Sequence, residues 1–479
     1  MSKKKISIYL LAALLVVLFL FLRFYRIDQS LLFFNDIGRD LLVLWQWQQS
    51  GKPPLLGPQT SALPFNQSAF YFYGLYPFYL LTHGSLYATL IACAVFYLLI
   101  FGLAVYALRR QPRWQATVLL IFALISIHPQ QIIQQRFVWN PSFVSPLIAA
   151  AGVIFLWLDQ RLQHKQAWPV WLTWLWAASL ALAVSLSYSA APTLIAFFLL
   201  ALVLFRGKAW GLALKTGLAL IVTNLSTLVF ELRHHFPLTS MLLTRERLLQ
   251  VALSLGDKLS RFNQLIFAWP SGLTILLGLG LLAFFIKSWR QGRLQTDRLV
   301  WLSAALLLLN LLIILLAPIA VQAHYIFGLL SLLLVFLSLL TLHHPWAIYL
   351  IFALSWQWLA PSQLNRYFAP AFRSPAQSQA CMVSFCQTHS EPVFIAVQAG
   401  FHPYHNGPEW QYLAAQAGCQ LKDLTTEPLA ASHLAVVVDA SQYQHGQTAF
   451  NELTIFGPSQ EIEVFSCGEQ LEIHYLERE

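Results

Sequence analysis

Charge is the scarcest component of this 479-residue sequence: 10% of its residues are Asp, Glu, Lys or Arg, where soluble domains carry about 25%. With 58% hydrophobic residues and a mean hydropathy of +0.60, the chain cannot cover a water-facing surface with polar groups. That excludes an ordinary soluble protein and makes lipid the solvent for much of the chain. The five cysteines include no CxxC pair, and no His pair has ligand spacing, which argues against a zinc site. Gly400 and Gly407 do not form a phosphate-binding fingerprint, so no nucleotide site is expected. Heptads, low-complexity tracts and convincing internal repeats are missing as well.

What is present is a series of apolar runs. A helix needs about 20 such residues to cross a bilayer. Eleven segments qualify as candidate spans: 6–24, 85–108, 115–129, 142–158, 169–186, 190–206, 209–229, 266–286, 299–317, 322–341 and 345–360. Lys3, Lys4 and Lys5 ahead of the first run give it a signal-peptide shape. The run ends in Leu22, Arg23, Phe24 and Tyr25 without a small-residue cleavage site, so it reads as an uncleaved first span. The net charge of +9 sits in short clusters between runs. With the N-terminus cytoplasmic, Arg109, Arg110 and Arg113 fall inside. So do Arg161 and Lys165, Arg206 and Lys208, and Lys287, Arg290, Arg293 and Arg298, as the positive-inside rule requires. This holds if the short aromatic segment 69–82, which contains Gly74 and Pro77, is interfacial or re-entrant rather than a crossing.

The expected fold is an all-α polytopic membrane bundle over residues 1–360, followed by a small extracytoplasmic α/β domain over 361–479. Polar loops 25–68, 130–141 and 230–265 share the outer side with that domain. Within it, 392–400 and 433–440 read as strands, 408–417 as a helix, and EIEVFSC with LEIHYLE as a strand pair. Its four cysteines, Cys381, Cys386, Cys419 and Cys467, are compatible with two disulfides and equally with free buried thiols.

The outer loops hold the residues that can carry chemistry. The first contains FFNDIGRDLLVLWQWQQSGKPP. Asn35 can cap a helix that runs to about Gln49 and stops before Gly51 and Pro53. Asp36 and Asp40 then share one face, Arg39 lies three residues from Asp36, and Ile37, Leu41 and Leu44 form an apolar stripe that can lie on the membrane. The plain alternative is capping with an ordinary ion pair. The second loop offers Arg136 and Asn140, beside Trp139 and Pro141, as anion ligands or interfacial anchors. The third opens with Glu231, Arg233, His234 and His235, and its stretch 244–262 reads as an amphipathic surface helix. Tyr71, Tyr73 and Tyr76 belong either to an aromatic interface belt or to a groove for an isoprenoid or acyl chain.

These residues resemble the GT-C superfamily of lipid-phosphate-sugar-dependent glycosyltransferases, in particular the branch of protein O-mannosyltransferases and the lipid A aminoarabinose transferase. The resemblance rests on Asp36 shortly after the first span, on Asp40 a turn later, and on the entry LLGPQTSALPFNQSAFYFYGLYPFYLL. The sequence departs from the pattern where Asn35-Asp36 replaces a frequent acidic pair and Gln67-Ser68-Ala69 stands in place of Pro-Pro. The resemblance implies an inverting transferase that moves a sugar from a polyprenyl phosphate-linked donor to a hydroxyl of a glycan, lipid or protein on the outer side. Asp36 would be the general base, with Asp40 beside it. Arg39, Arg136, Asn140, Arg233 and His234 would serve the donor phosphate, and Tyr71, Tyr73 and Tyr76 the lipid chain. No cofactor is implied beyond an optional divalent cation at Asp40, and no nucleic acid. Two rivals make different demands. A transporter or flippase needs ionisable residues inside its spans. A non-catalytic polysaccharide-assembly subunit tolerates change at Asp36, Arg136 and Arg233.

Overall fold

The computed structural model describes residues 3–60, 66–243, 254–267, 297–317, 321–371, 373–398, 407–439, 451–468 and 471–479, with isolated positions between 283 and 291. The described chain before residue 361 is mainly helical. It opens with α1 (Lys3–Phe24), the single turn α2 (Ile27–Ser30) and α3 (Asp36–Ser50). A hairpin of β1 (Leu56–Gln59) and β2 (Asn66–Ser68) leads to α4 (Phe70–Leu81) and α5 (Ala88–Ala107). Then come α6 (Pro112–Ile127), α7 (Pro129–Arg136), α8 (Val144–Gln163), α9 (Val170–Leu186), α10 (Ala191–Phe205), α11 (Gly207–Thr223) and α12 (Leu225–Arg233). Further helices cover Leu255–Ile266, Arg298–Leu316, Phe327–His343 and Ala347–Trp358. All the expected spans coincide with helices except 266–286, which lies almost wholly outside the described residues.

Five described helices are long and apolar enough to cross a membrane, and two bent pairs bring that number to seven. The chain is a multi-pass membrane protein. The expected span 209–229 is not a straight rod, and the expected loop 130–141 holds most of a further helix, α7, bent away from the end of α6. α6 and α7 meet at 69° and α11 and α12 at 62°. Pro129, which has no N–H to continue the ladder, stands at the first break. At the second, the Asn224 side chain donates to the Leu220 carbonyl at 2.9 Å and competes with the backbone. α4 has 12 residues, about 18 Å of helix, well short of the ~30 Å hydrocarbon layer.

Two arginines lock the first helices together at the loop-rich end. Arg23, fully buried near the end of α1, donates to the Ser126 and Ile125 carbonyls that end α6 and to Gln135 Oε1. Arg136, at the end of α7, donates to the Arg23 and Tyr25 carbonyls at 3.0 and 3.2 Å and to Ser30 Oγ. Each guanidinium thus satisfies carbonyls that a helix end leaves without partners. At the opposite end Arg298 clasps buried Asp159 through two hydrogen bonds of 2.7 and 2.8 Å.

The C-terminal region is a four-stranded sheet in the order β3-β4-β6-β5, where β3 is Val393–Gln398, β4 His433–Asp439, β5 Ser459–Ser466 and β6 Leu471–Arg478. β3 and β4 are parallel and the other pairs antiparallel. Helices Pro375–Thr388 and Pro408–Ala417 pack on each other and join the core that runs into the bundle. Disulfides Cys381–Cys467 and Cys386–Cys419 settle the open question about the cysteines. Cys93 is free and buried in α5. The region is docked on the first loop and on the turn between α4 and α5. Phe33 N donates to the Arg373 carbonyl at 2.9 Å, Ala371 N to Gln29 O at 2.8 Å, and Tyr412 Oη to Gly84 O at 2.5 Å.

Candidate active site

The acidic helix α3 begins and ends almost where its sequence suggests, but its start is made differently. Asn35 occupies the N-cap position with φ 27°, and its side chain makes no capping hydrogen bond. The end is built by Gly51 at φ 68°, whose N–H returns to Trp47 O at 2.8 Å. The stripe of Ile37, Leu41 and Leu44 does not lie on the membrane. All three are buried in the protein core, because α3 is held between α4 and the C-terminal region.

One flank of α3 rests on α4. The Trp47 ring stacks on Tyr76 with centroids 3.7 Å apart and meets Tyr73 edge-on at 5.7 Å. Tyr73 Oη donates to Pro54 O at 2.7 Å. Tyr71 Oη donates to Asp40 Oδ2 at 2.7 Å. The three tyrosines expected to line a lipid groove thus each contact α3 or the loop that follows it. On the other flank Gly38 meets Glu409. A Cβ at residue 38 would sit 2.0 Å from the Glu409 Cα, so only glycine allows this approach.

Between these flanks lies a compact charged group. Arg39 donates from Nη1 to Asp36 Oδ1 at 2.5 Å, and from Nε and Nη2 to Asp40 Oδ1 at 2.9 and 2.7 Å. Asp40 is fully buried, while the side chains of Asp36 and Arg39 remain 25% and 27% exposed. Burial pushes the Asp40 carboxyl up to about 6, against the pull of Arg39 and of the Tyr71 hydroxyl. Asp36 Oδ2 makes no hydrogen bond among the described residues. The arrangement has an accessible carboxylate with one oxygen fixed and one free, a shared cation, and a buried carboxylate behind.

The candidates from the other loops separate. Arg136 is committed to the end of α1, and Asn140 Nδ2 donates to the Leu186 carbonyl at the end of α9 at 2.7 Å. Both close helix ends. The reason is local: each lies beside a helix terminus whose carbonyls need a donor. Arg233 and His234 lie exposed at the end of α12, which packs against β1, and Arg233 forms no ion pair among the described residues. His234 stacks beside Phe230 at 4.5 Å. Buried Glu231 accepts from Leu238 N and Thr239 N at 2.8 and 3.0 Å, holding the next turn. Most of 244–262 lies outside the described residues, and its last part belongs to the helix Leu255–Ile266.

Three features were not visible in sequence. Tyr71 as the partner of Asp40, Gly38 as the contact with Glu409, and the Arg23–Gln135–Gln131–Tyr97 hydrogen-bonded chain all join residues far apart along the chain. The single available signal was Arg23 itself, a charge at the end of an apolar run.

No family model and no curated protein sequence matches this chain. Among solved structures it is similar to ArnT from Cupriavidus metallidurans. The crystal structure of that protein bound to undecaprenyl phosphate superposes with a TM-score of 0.60 at 13% identity, over 98% of this chain and 98% of that one. The apo structure gives 0.59 at 13% identity, over 99% and 98%. The chain therefore shares the fold of ArnT along essentially its whole length.

Proposed function

We propose that this protein is a membrane glycosyltransferase that moves a sugar from a polyprenyl phosphate-linked donor to an acceptor hydroxyl on the extracytoplasmic side. The observation that carries the reading is the Asp36–Arg39–Asp40 group, held at the loop-rich end of a bundle whose fold is that of ArnT, a protein crystallised with undecaprenyl phosphate. Two features support the sidedness. The C-terminal region at this end contains two disulfides, which persist in oxidising compartments. The basic clusters around Arg110, Arg161 and Arg206 lie at the other end of the helices.

In this reading the acceptor hydroxyl donates its proton to Asp36 Oδ2 as its oxygen attacks the anomeric carbon. The bond from that carbon to the phosphate oxygen breaks, the configuration inverts, and polyprenyl phosphate leaves with its negative charge. Arg39 holds Asp36 Oδ1 so that the free oxygen points one way. The partly buried Arg39 and the exposed Arg233, with His234, serve the leaving phosphate through charge-assisted hydrogen bonds. Asp40 and Tyr71 position Arg39 without touching substrate.

The test is transfer by the full-length protein in proteoliposomes supplied with polyprenyl phosphate-linked sugars. Asp36→Asn should lose 10²–10⁴-fold in rate, with an unchanged melting temperature. Undiminished transfer by that variant would remove Asp36 as the base.

A further inference from the structure

The half of the bundle away from Asp36 contains a feature the transferase reading does not use. Residues of α10 and α11 line a cavity of about 300 Å³, among them Phe198, Leu202, Trp210, Ala213, Gly217 and Leu220. Small residues open it: a Cβ on Gly217 would meet nothing within 4 Å. Its lining includes Ala209 and Trp210, at the start of α11 just after Arg206 and Lys208. There Trp210 is 69% exposed, as indoles at a membrane–water boundary often are.

Charge around this groove is one-sided. From Ala191 to Thr223 the sequence contains Arg206, Lys208 and Lys215 and no Asp or Glu. Lys215 Nζ donates to Thr173 Oγ1 at 2.6 Å, and Lys208 lies 5.1 Å over the Trp168 ring. Arg206 is exposed and forms no ion pair among the described residues. An apolar slot between two apolar helices, with unneutralised cations next in sequence to its lining residues Ala209 and Trp210, matches one acyl chain joined to an anionic headgroup.

We propose that the α10–α11 groove binds one anionic bilayer phospholipid, with an acyl chain between the helices and the phosphate at Arg206 and Lys208. Its lining shares no residue with the group proposed to serve the donor.

The experiment uses delipidated full-length protein in detergent, with bound molecules counted by native mass spectrometry. Phosphatidylglycerol, phosphatidylcholine, undecaprenyl phosphate and inorganic phosphate are the probes. One phosphatidylglycerol should be retained in preference to the other three. Arg206→Gln should weaken its binding about fivefold, the worth of one cation near a charged lipid. Gly217→Phe should fill the slot and abolish retention, and both variants should keep the wild-type transfer rate. Equal retention of phosphatidylcholine, preference for undecaprenyl phosphate, undiminished binding by Gly217→Phe, or a lipid-free dimer formed through this face would each overturn the proposal. None of these readouts depends on Asp36, so the lipid site and the transferase reading can fail independently.

Discussion

Asp40 shows how burial changes the chemistry of a residue that sequence spacing places correctly. It lies one turn from Asp36, and that spacing was legible; its complete burial was not. With its carboxyl raised to about 6 by desolvation, it is mostly ionised at pH 7 and takes up a proton as pH falls through 6. Neutral Asp40 holds Arg39 less firmly, so transfer should decline through that range. Asp40→Asn should show the low rate at every pH, without the limb near 6. Stability runs the other way. Because the folded-state value lies above the ordinary 3.8, the contribution of Asp40 is fully present below about 3.8 and is lost as pH rises through 6. Asp40→Asn should therefore melt above the wild type at pH 8 while transferring more slowly. A variant that is both slower and less stable at pH 8 would contradict this division.

α3 is an amphipathic helix with an unusual environment for a membrane protein loop, since its apolar stripe is buried by protein on both flanks. The sequence pattern predicts a helix with one greasy face but cannot say whether lipid or protein covers it. Gly38 decides that point locally. In an isolated helix Gly→Ala is favourable by about 1 kcal/mol. Here the added methyl collides with the Glu409 backbone, so Gly38→Ala should loosen the docked helix Pro408–Ala417, speed its proteolysis and lower transfer. α1, α6 and α7 depend on arginine in a comparable way. Arg23→Met leaves the Ser126 and Ile125 carbonyls and Gln135 without their buried donor, which should cost about 1–3 kcal/mol per orphaned group and appear as a lower melting temperature. That Arg136 and Asn140 close helix ends was not legible in the sequence for a simple reason: polar donors in loops look alike until the neighbouring helix terminus is known.

Across the whole molecule the disulfide-bonded C-terminal region acts as a brace on the first loop. The Cys386–Cys419 bond ties Pro375–Thr388 to the end of Pro408–Ala417, the helix whose other end carries Glu409. Reduction, or the paired change Cys386→Ser and Cys419→Ser, should destabilise this region by about 2–5 kcal/mol. Its protease sensitivity should rise together with the loss of transfer, whereas a rise in cleavage with full transfer would show that the brace does not matter to catalysis.

Local patterns in the sequence were enough to establish a membrane-embedded helical bundle, the strands of the C-terminal region and the Asp36–Arg39–Asp40 helix, because each is a short-range pattern of period, spacing or length. Folding in three dimensions decided the rest: which tyrosine meets Asp40, which arginines close helix ends, which cysteines pair, and that the C-terminal region rests against the acidic helix. These outcomes depend on contacts between residues dozens to hundreds of positions apart. No local regularity encodes them, because close packing and the need of every buried polar group for a partner are satisfied only by the assembled chain.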